Sequence, residues 1–280
     1  DERYRRAFAN LWASIARLDR HNNGGFSSGE QAQGNPYHTG AIETCCTIAW
    51  MAMTIDQLRL TGDSRAADEL EIATWNAVLG AQNADGRWWT YNTPMEGVRQ
   101  ASAHSIVFQA RPGSPELNCC SVNGPRGLGL LGEWALLETD HGLAVNYYGP
   151  SRFSANTPGG QPVVLEQQTE YPKEGHVVIT VGLKAPEKFE LRLRIPSWSR
   201  RTEVSVNGAI GSSRINAGDI DGRCSIAALG SCWARRRLRR RHHFRWLAGR
   251  PARRRGRQGH AARRRRQRHA VRRRRRRRPQ

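Results

Sequence analysis

Four of the six cysteines lie in two short segments, Cys45 with Cys46 and Cys119 with Cys120. A carboxylate, Glu43, stands two residues before the first of them. The carboxylate, the thiol two residues on and the distant thiol pair offer a metal one oxygen and three sulfurs, which zinc accepts in tetrahedral geometry. Zinc bound by Glu43, Cys45, Cys119 and Cys120 is therefore one interpretation. Buried free cysteines, which are common core residues, are the other, because these spacings match no standard zinc signature.

Local geometry restricts where such ligands can lie. Positions i and i+2 lie about 200° apart around a helix, so Glu43 and Cys45 cannot both face one ion from the middle of a regular helix. They can do so from a loop or from a first helical turn. The same holds for Cys119 and Cys120, because a helical pattern follows them. A helix N-terminus also favours the thiolate form of cysteine.

The charge of the chain is concentrated at its C-terminal end. The 280 residues carry a net charge of +21, and a pI near 11.2 is typical of nucleic-acid binders. Residues 233–280, however, hold 24 arginines and no acidic residue. The other 21 Lys and Arg residues stand against 24 Asp and Glu residues, which gives residues 1–232 a net charge of −3. We expect no specific nucleic-acid partner for this slightly acidic part.

The arginine-rich segment 233–280 admits three interpretations. It is a basic arm for nucleic acid or an anionic surface, a solvated disordered tail, or a translation of GC-rich coding sequence in the wrong frame. The lack of lysine and the dominance of Arg, Ala, Gly and Pro favour the wrong frame. We expect disorder, because few apolar groups offset a backbone ordering entropy of about 1–2 kcal/mol per residue.

Cysteine usage indicates a reducing compartment, which we take to be the cytoplasm. Six cysteines in 280 residues, with two adjacent pairs, do not form a disulfide framework. No apolar run approaches the length of a membrane span, and no signal peptide is visible. The sequence starts at Asp1 without an initiator Met, so we expect a fragment of a longer protein.

Hydrophobic periodicity predicts helices first and strands afterwards. Apolar residues recur at 3.6-residue spacing in 4–18, 43–60, 64–81 and 121–138. After residue 140 the patterns indicate strands at 143–148, 163–169, 177–183, 189–195 and 203–207. We therefore expect a helical domain over residues 1–140, a partial antiparallel β domain over 141–232 and the tail over 233–280.

Three details of these elements carry specific expectations. Ser64 is the expected N-cap of the third helix. Arg192 and Arg194 alternate with leucines, which predicts that both arginines lie on the solvent face of a half-buried strand. The glycines of the fourth helix predict close helix packing rather than a phosphate loop, because no Gly-Lys-Ser/Thr follows them. They are Gly124, Gly127, Gly129 and Gly132.

Several motifs together resemble one family of carbohydrate-active enzymes, glycoside hydrolase family 127, the zinc-dependent β-L-arabinofuranosidases and their relatives. The resemblance covers roughly residues 4–210. It is carried by Gly29-Glu30, by the run from Tyr37 to Cys45, by Cys119-Cys120-x-x-Asn123-x-x-Arg126, by Thr61-Gly62-Asp63 with Ala67-Asp68, by Asn76-x-Val78-Leu79-Gly80, and by Leu193-Arg194-Ile195-Pro196-x-Trp198 with Val206-Asn207-Gly208.

The resemblance implies a fold and a chemistry. The fold is an (α/α)6 barrel followed by a β-sandwich, of which this chain would hold a partial barrel and an incomplete sandwich. The implied zinc ligands are Glu43, Cys45, Cys119 and Cys120. Cys119 is then the nucleophile and Glu30 the general acid/base of a retaining glycoside hydrolase. The segment from Glu30 to Glu43 is shorter here than in the arabinofuranosidases.

The expected partner is a small carbohydrate, released as L-arabinofuranose or a related sugar. His38, Tyr91, Trp88 and His104 are candidates for lining the sugar pocket, although each is also explained as an ordinary core or hydrogen-bonded residue. The alternative function is a non-catalytic carbohydrate-binding or structural zinc protein of the same fold. A nucleic-acid binder acting through the basic tail is a third, less favoured hypothesis.

Overall fold

The computed structural model describes residues 1–27, 31–84, 86, 89–93, 119–199, 202–206, 209–210, 223–228 and 240–246. All of them belong to one unit of the chain, Asp1–Ala248. The described helices are α1 (Glu2–Leu18), α2 (Thr44–Thr61), α3 (Ser64–Ile72), α4 (Leu79–Ala81), α5 (Cys119–Gly129) and α6 (Leu131–Trp134). A π-helical segment, Ala73–Val78, joins α3 to α4.

The described strands lie mainly after the helices. Two short ones, β1 (Ile42–Glu43) and β2 (Asn92–Thr93), pair with each other within the helical part. The others are β3 (Leu136–Thr139), β4 (Gly142–Val145), β5 (Ser151–Asn156), β6 (Pro162–Thr169), β7 (His176–Leu183), β8 (Phe189–Arg194), β9 (Thr202–Val206), β10 (Ala209–Ile210), β11 (Arg223–Ala228) and β12 (Arg240–Trp246). Helices followed by sheets is the order that the sequence predicts.

Helix α2 is the centre of the helical part. The 3.6-residue spacing predicts one inward face for this helix, and its apolar residues Ile48, Met51, Ile55 and Leu58 are at most 2% exposed. The helix ends at Gly62, whose left-handed conformation (φ 59°) suits glycine. Among the described residues, no helix is both long and apolar enough to cross a membrane.

The neighbouring helices depart from the sequence expectations at three places. The N-cap of α3 is Asp63, whose carboxylate accepts a hydrogen bond from the Arg65 amide, and Ser64 is the first helical residue. In α1, the apolar stripe is only partly buried, because Trp12 is buried whereas Leu11 is exposed. The last predicted helix ends at Trp134, because the turn after Thr139 lets β3 and β4 pair as a hairpin.

Two sheets form the rest of the described fold. One has six strands in the order β10-β9-β12-β7-β6-β5, and the other has four in the order β11-β8-β4-β3. All pairs are antiparallel except β4 with β8, which is parallel. Apolar side chains of both sheets share one core, which includes Leu143, Leu165, Ile179 and Leu191. The five predicted strands are all present, within three residues at each end.

The expectation of a disordered tail is wrong for part of segment 233–280. Residues Arg240–Trp246 form the seven-residue strand β12, which pairs with β7 on one side and β9 on the other. Pairing of this kind uses backbone N–H and C=O groups, so an arginine-rich composition does not prevent it. The rest of the tail lies outside the described residues, and the wrong-frame interpretation stays a prediction.

A buried arginine joins the sheets to the helices. Arg194, at the end of β8, is buried and donates to the carboxylates of Asp68 and Glu71 in α3. Its Nε donates to the carbonyl oxygen of Asn146 at 2.7 Å. The hydroxyl of Tyr171 donates to the second oxygen of Glu71. The prediction that Arg194 lies on a solvent face is therefore wrong, because this end of β8 packs against α3.

Electrostatics explain why this arginine stays charged. Burial alone would lower the pKa of Arg194, but the carboxylates of Glu71 and Asp68 raise it above its ordinary value. Burial, and then the charge of Glu71, raise the pKa of Tyr171, so the phenol keeps its proton and donates it. One cation therefore faces two anions in a site without solvent, where each group depends on the others.

We expect Arg194→Met to destabilise the protein by about 3–5 kcal/mol, because it leaves two buried carboxylates without their cation. The measurement is urea unfolding followed by circular dichroism. The matched control is Arg192→Met, two residues earlier in the same strand, where the partly exposed pair with Glu190 is worth at most about 1 kcal/mol. Equal losses for both variants would contradict a special role of Arg194.

Candidate metal centre and active site

The segment before α2 fixes where that helix begins. Glu43 is the N-cap of α2, and its amide donates to the carbonyl oxygen of Phe26 at 2.8 Å. The amide of Thr44 donates to the carbonyl oxygen of Tyr91 at 3.0 Å. Cys45 follows as the second residue of the helix. The cysteine is thus in a first helical turn, as the i and i+2 spacing requires.

Helix α5 brings the second pair of cysteines to the same place. Cys119 and Cys120 are its first two residues. A Cβ on Gly124 would overlap the indole of Trp89, and one on Gly127 would overlap the side chains of Ile48 and Val78. Both glycines therefore allow the close packing that the sequence predicts. The same prediction is wrong for Gly129 and Gly132, which face open space.

The three sulfurs of Cys45, Cys119 and Cys120 converge. They lie within 4.8 Å of one another. The thiol of Cys120 donates to the sulfur of Cys45 at 3.1 Å, and the sulfurs of Cys119 and Cys120 are 4.0 Å apart. The amide Nδ2 of Asn123 also donates to the sulfur of Cys45, at 3.3 Å. Cys45 therefore forms one cluster with two adjacent cysteines that follow it by 74 and 75 residues.

The donor set of this sulfur cluster fits zinc. Two sulfurs bound to a tetrahedral zinc ion at about 2.3 Å lie about 3.8 Å from each other. The observed separations of 3.1 and 4.0 Å bracket that value. Thiolates are also the ligands that select zinc over hard cations such as magnesium and calcium. The three cysteines could therefore hold a metal ion.

The carboxylate of Glu43 lies next to the cluster rather than within it. Among the described His, Cys, Asp and Glu side chains, the group with all ligand atoms within 4.8 Å of one another contains the three cysteines alone. Glu43 is buried, with 5% of its surface exposed. Its interaction with Cys45 opposes the lowering of that thiol's pKa, which the hydrogen bond from Cys120 dominates, and after desolvation and Cys45 it adds to the raising of the pKa of Cys119. That Glu43 is the fourth ligand stays a prediction.

The three thiols share one negative charge at neutral pH. The hydrogen bond from Cys120 is the largest cause that lowers the pKa of Cys45 to about 6. The same bond raises the pKa of Cys120, because a thiol that donates holds its proton. Cys119 is exposed but still partly desolvated, and this desolvation, followed by the interaction with Cys45, raises the pKa of Cys119. Cys45 is then the thiolate, and the other two cysteines are thiols.

The remaining predicted site residues are not part of the cluster, and some of them lie outside the described residues. His38 is half-buried, and its Nδ1 accepts from the Gly40 amide at 3.0 Å and from the Ser27 hydroxyl at 3.0 Å. Its proton is therefore on Nε2. Tyr91 is 3% exposed and belongs to the core. Glu30, Trp88 and His104 lie outside the described residues.

Two residues with notable surroundings were given no chemical role in the sequence analysis, although Asn123 is part of the quoted motif. Asn123 contacts Cys45, and its spacing of three from Cys120 and four from Cys119 in a helix is a signal that could have found it. His21 is 1% exposed, and its pKa is lowered by burial and by the neighbouring His38. No sequence pattern distinguishes His21 from an ordinary core histidine.

Comparison with known proteins identifies the class of the chain. Residues 1–133 match the catalytic domain of the β-L-arabinofuranosidases of glycoside hydrolase family 127, and residues 142–219 match the middle domain of the same family. The chain belongs to glycoside hydrolase family 127. The resemblance drawn from the motifs is therefore confirmed.

Individual relatives agree with this assignment. The non-reducing end β-L-arabinofuranosidase of Bifidobacterium longum is 29% identical over 202 residues, which are 66% of this chain and 30% of the relative. A solved family 127 β-L-arabinofuranosidase from Geobacillus stearothermophilus T6 is 27% identical, with a TM-score of 0.72 over 88% of this chain and 39% of that one. A second solved β-arabinofuranosidase of the family shares the fold at 22% identity and a TM-score of 0.67, over 87% of this chain and 39% of that one. The chain thus spans well under half the length of these relatives.

We expect zinc binding to release about two protons at pH 7.5, because Cys45 is already a thiolate while Cys119 and Cys120 must lose theirs. Below pH 5 all three cysteines are protonated, so the release rises to about three protons and the affinity falls steeply. Calorimetric titration in buffers of different ionisation enthalpy measures the number of protons released per zinc ion bound. Cys120→Ala removes a proposed ligand, so its zinc affinity should fall by more than the loss of about 10–100-fold that is typical of a change outside the ligand set; wild-type affinity would remove Cys120 from the ligand set.

Proposed function

We propose that the chain is part of a retaining glycoside hydrolase that releases L-arabinofuranose or a related sugar, with a small carbohydrate as its substrate. The observation that carries this proposal is the unequal burial of the two adjacent cysteines in α5. Cys120 is buried, whereas Cys119 is exposed. A structural metal site is closed on all sides, and a catalytic one keeps a face open to substrate. The exposure of Cys119 gives the sulfur cluster such a face.

The architecture that this function requires is an (α/α)6 barrel followed by a β-sandwich. The described helices would form part of the barrel, and the two sheets with their shared core would form the sandwich. Two observations support this proposal: the family matches cover helices and sheets separately, and β-sandwiches keep their core between two sheets. Helices α2 and α5 then place their N-termini, and with them the cysteines, at one end of the barrel.

In the proposed first step, Cys119 and Glu30 act on opposite sides of the glycosidic bond. The thiolate of Cys119 attacks the anomeric carbon, and the carboxylic acid of Glu30 gives its proton to the leaving oxygen. The products are an alcohol and a sugar joined to the sulfur of Cys119. Glu30 is left as a carboxylate.

In the second step, the carboxylate of Glu30 removes a proton from water as the water attacks the anomeric carbon. The carbon–sulfur bond breaks, and Cys119 leaves as a thiolate. Two inversions at the anomeric carbon return its original configuration, which is the definition of a retaining enzyme. Both residues are then ready for another cycle.

Zinc is the proposed cofactor, held by Cys45, Cys119 and Cys120 with Glu43 as the fourth ligand. Its positive charge would keep thiolates deprotonated at neutral pH. This matters for Cys119, because partial desolvation and the Cys45 thiolate otherwise raise its pKa. Cys119 would therefore be a thiol at neutral pH without a nearby cation.

The sugar itself would be held by polar side chains near the sulfur cluster. His38 is the best supported of the predicted contacts, because its two hydrogen bonds at Nδ1 leave the Nε2 proton for a hydroxyl. His104 is proposed from the sequence alone. The buried Tyr91 would act by fixing the start of α2 through its carbonyl oxygen. A non-catalytic zinc protein of the same fold is the alternative, and the exposure of Cys119 argues against it.

We expect Cys119→Ser to lower the hydrolysis of an aryl β-L-arabinofuranoside by at least about 10³-fold, because a serine hydroxyl is a far weaker nucleophile than a thiolate. Cys46→Ala is the matched control, since Cys46 lies beside Cys45 but outside the sulfur cluster. Mass spectrometry of acid-quenched wild-type protein should show one pentosyl group on the peptide that contains Cys119. Near-normal turnover by Cys119→Ser would rule out its role as nucleophile.

We expect Glu30→Gln to lose most of its activity and to regain turnover when azide is added. Azide attacks the anomeric carbon without needing a general base, so it replaces the water that Glu30 would activate. The product should be an arabinosyl azide with retained configuration, identified by nuclear magnetic resonance. An aryl leaving group with low pKa makes the first step independent of proton donation. Loss of activity that azide does not restore would argue against Glu30 as the base.

A further inference from the structure

The side-chain amide of Asn123 contacts the sulfur cluster directly. Its Nδ2 donates to the sulfur of Cys45 at 3.3 Å. In α5, Asn123 follows Cys120 by three residues and Cys119 by four. Residues at these spacings share one face of a helix. The amide therefore reaches Cys45 from the same face of α5 that carries the two thiols.

Cys45 accepts two hydrogen bonds, and they respond differently to a bound metal. The first comes from the thiol of Cys120 at 3.1 Å. A cysteine ligand binds as a thiolate, so Cys120 must lose the proton that it donates. The second comes from Asn123, whose amide carries no proton that metal binding removes. The hydrogen bond from Asn123 is thus compatible with both the metal-free and the metal-loaded site.

This contact distinguishes the three cysteines chemically. A hydrogen bond donated to a ligand sulfur draws electron density from its lone pairs and fixes its direction. Cys45 has this donor in Asn123. Cys119 is exposed, with its sulfur 4.0 Å from that of Cys120. Cys45 is therefore suited to remain a ligand, and Cys119 is suited to react.

We propose that Asn123 is a positioning residue that holds the sulfur of Cys45 as a permanent metal ligand and so leaves Cys119 as the cysteine that attacks the sugar. The inference rests on the proposed function, because it assigns a role within the proposed metal site. The metal site then depends on Asn123, a residue that is not itself a ligand.

The test replaces Asn123 with leucine, which has a similar shape, favours helix and donates no hydrogen bond. Cobalt(II) serves as the spectroscopic probe and zinc as the affinity probe. Removing the donor raises the energy of the sulfur lone pairs, so the sulfur-to-cobalt charge-transfer band of Asn123→Leu should move to longer wavelength. Zinc affinity should fall by about 10–100-fold. Val122→Ala, at a neighbouring residue that is 71% exposed, should leave both quantities unchanged.

The outcomes separate this inference from the proposed function. A wild-type chain that shows no sulfur-to-cobalt band overturns the metal site and the role of Asn123 together. If folded Asn123→Leu keeps the wild-type band position and the wild-type zinc affinity, the role of Asn123 alone is overturned. Asn123→Ala gives the same readouts if the leucine variant does not fold, and a wild-type spectrum there is equally decisive. A shifted band in a chain that hydrolyses no arabinofuranoside supports the inference and counts against the proposed activity.

Discussion

The close contact between α5 and the side chains beneath it is the constraint on which the site depends. Gly124 lies against the indole of Trp89, and Gly127 lies against Ile48 and Val78, at distances that leave no room for a Cβ. The absence of two side chains therefore sets how near α5 comes to α2. Since Cys45 begins one helix and Cys119 and Cys120 begin the other, that approach decides whether the three sulfurs meet. The close packing at these two glycines, rather than contacts among the cysteines, brings the three sulfurs together.

The second constraint is the buried charge at Arg194. Its partners Asp68 and Glu71 belong to α3, and Asn146 and Tyr171 belong to the sheet region, so one side chain links both parts of the fold. The amide of Ser197 adds a hydrogen bond to Asp68 at 2.9 Å. A buried ion pair rarely stabilises a protein more than a well-packed apolar contact would, but removing one partner strongly destabilises the fold. It therefore specifies how β8 docks on α3 more than it stabilises either element.

The sequence alone predicted those elements whose structure depends on a local pattern of residues. The helical period predicted the inward face of α2, and the alternation of period two predicted β6 and β7 to within a residue. Local pattern failed where a tertiary contact decides the outcome. Arg194 looks like a solvent-facing residue until its two acidic partners, more than 120 residues away, are in place. Strand β12 was missed because its pairing lies in the backbone. The cysteines were found because their types and spacing are chemically unusual, whereas Asn123 carries no such signal until the helix geometry is known.

The distance along the chain between the two cysteine segments has a consequence for folding. Cys45 and Cys120 are 75 residues apart, so an ion that both hold closes a loop of that length. In the chain-entropy description of cross-links, a loop of this size is worth about 4.5 kcal/mol, because the unfolded chain loses that much freedom. A metal ion in the sulfur cluster would thus act as a long-range cross-link that stabilises the helical part. It would tie the lifetime of the folded chain to the supply of metal in its surroundings.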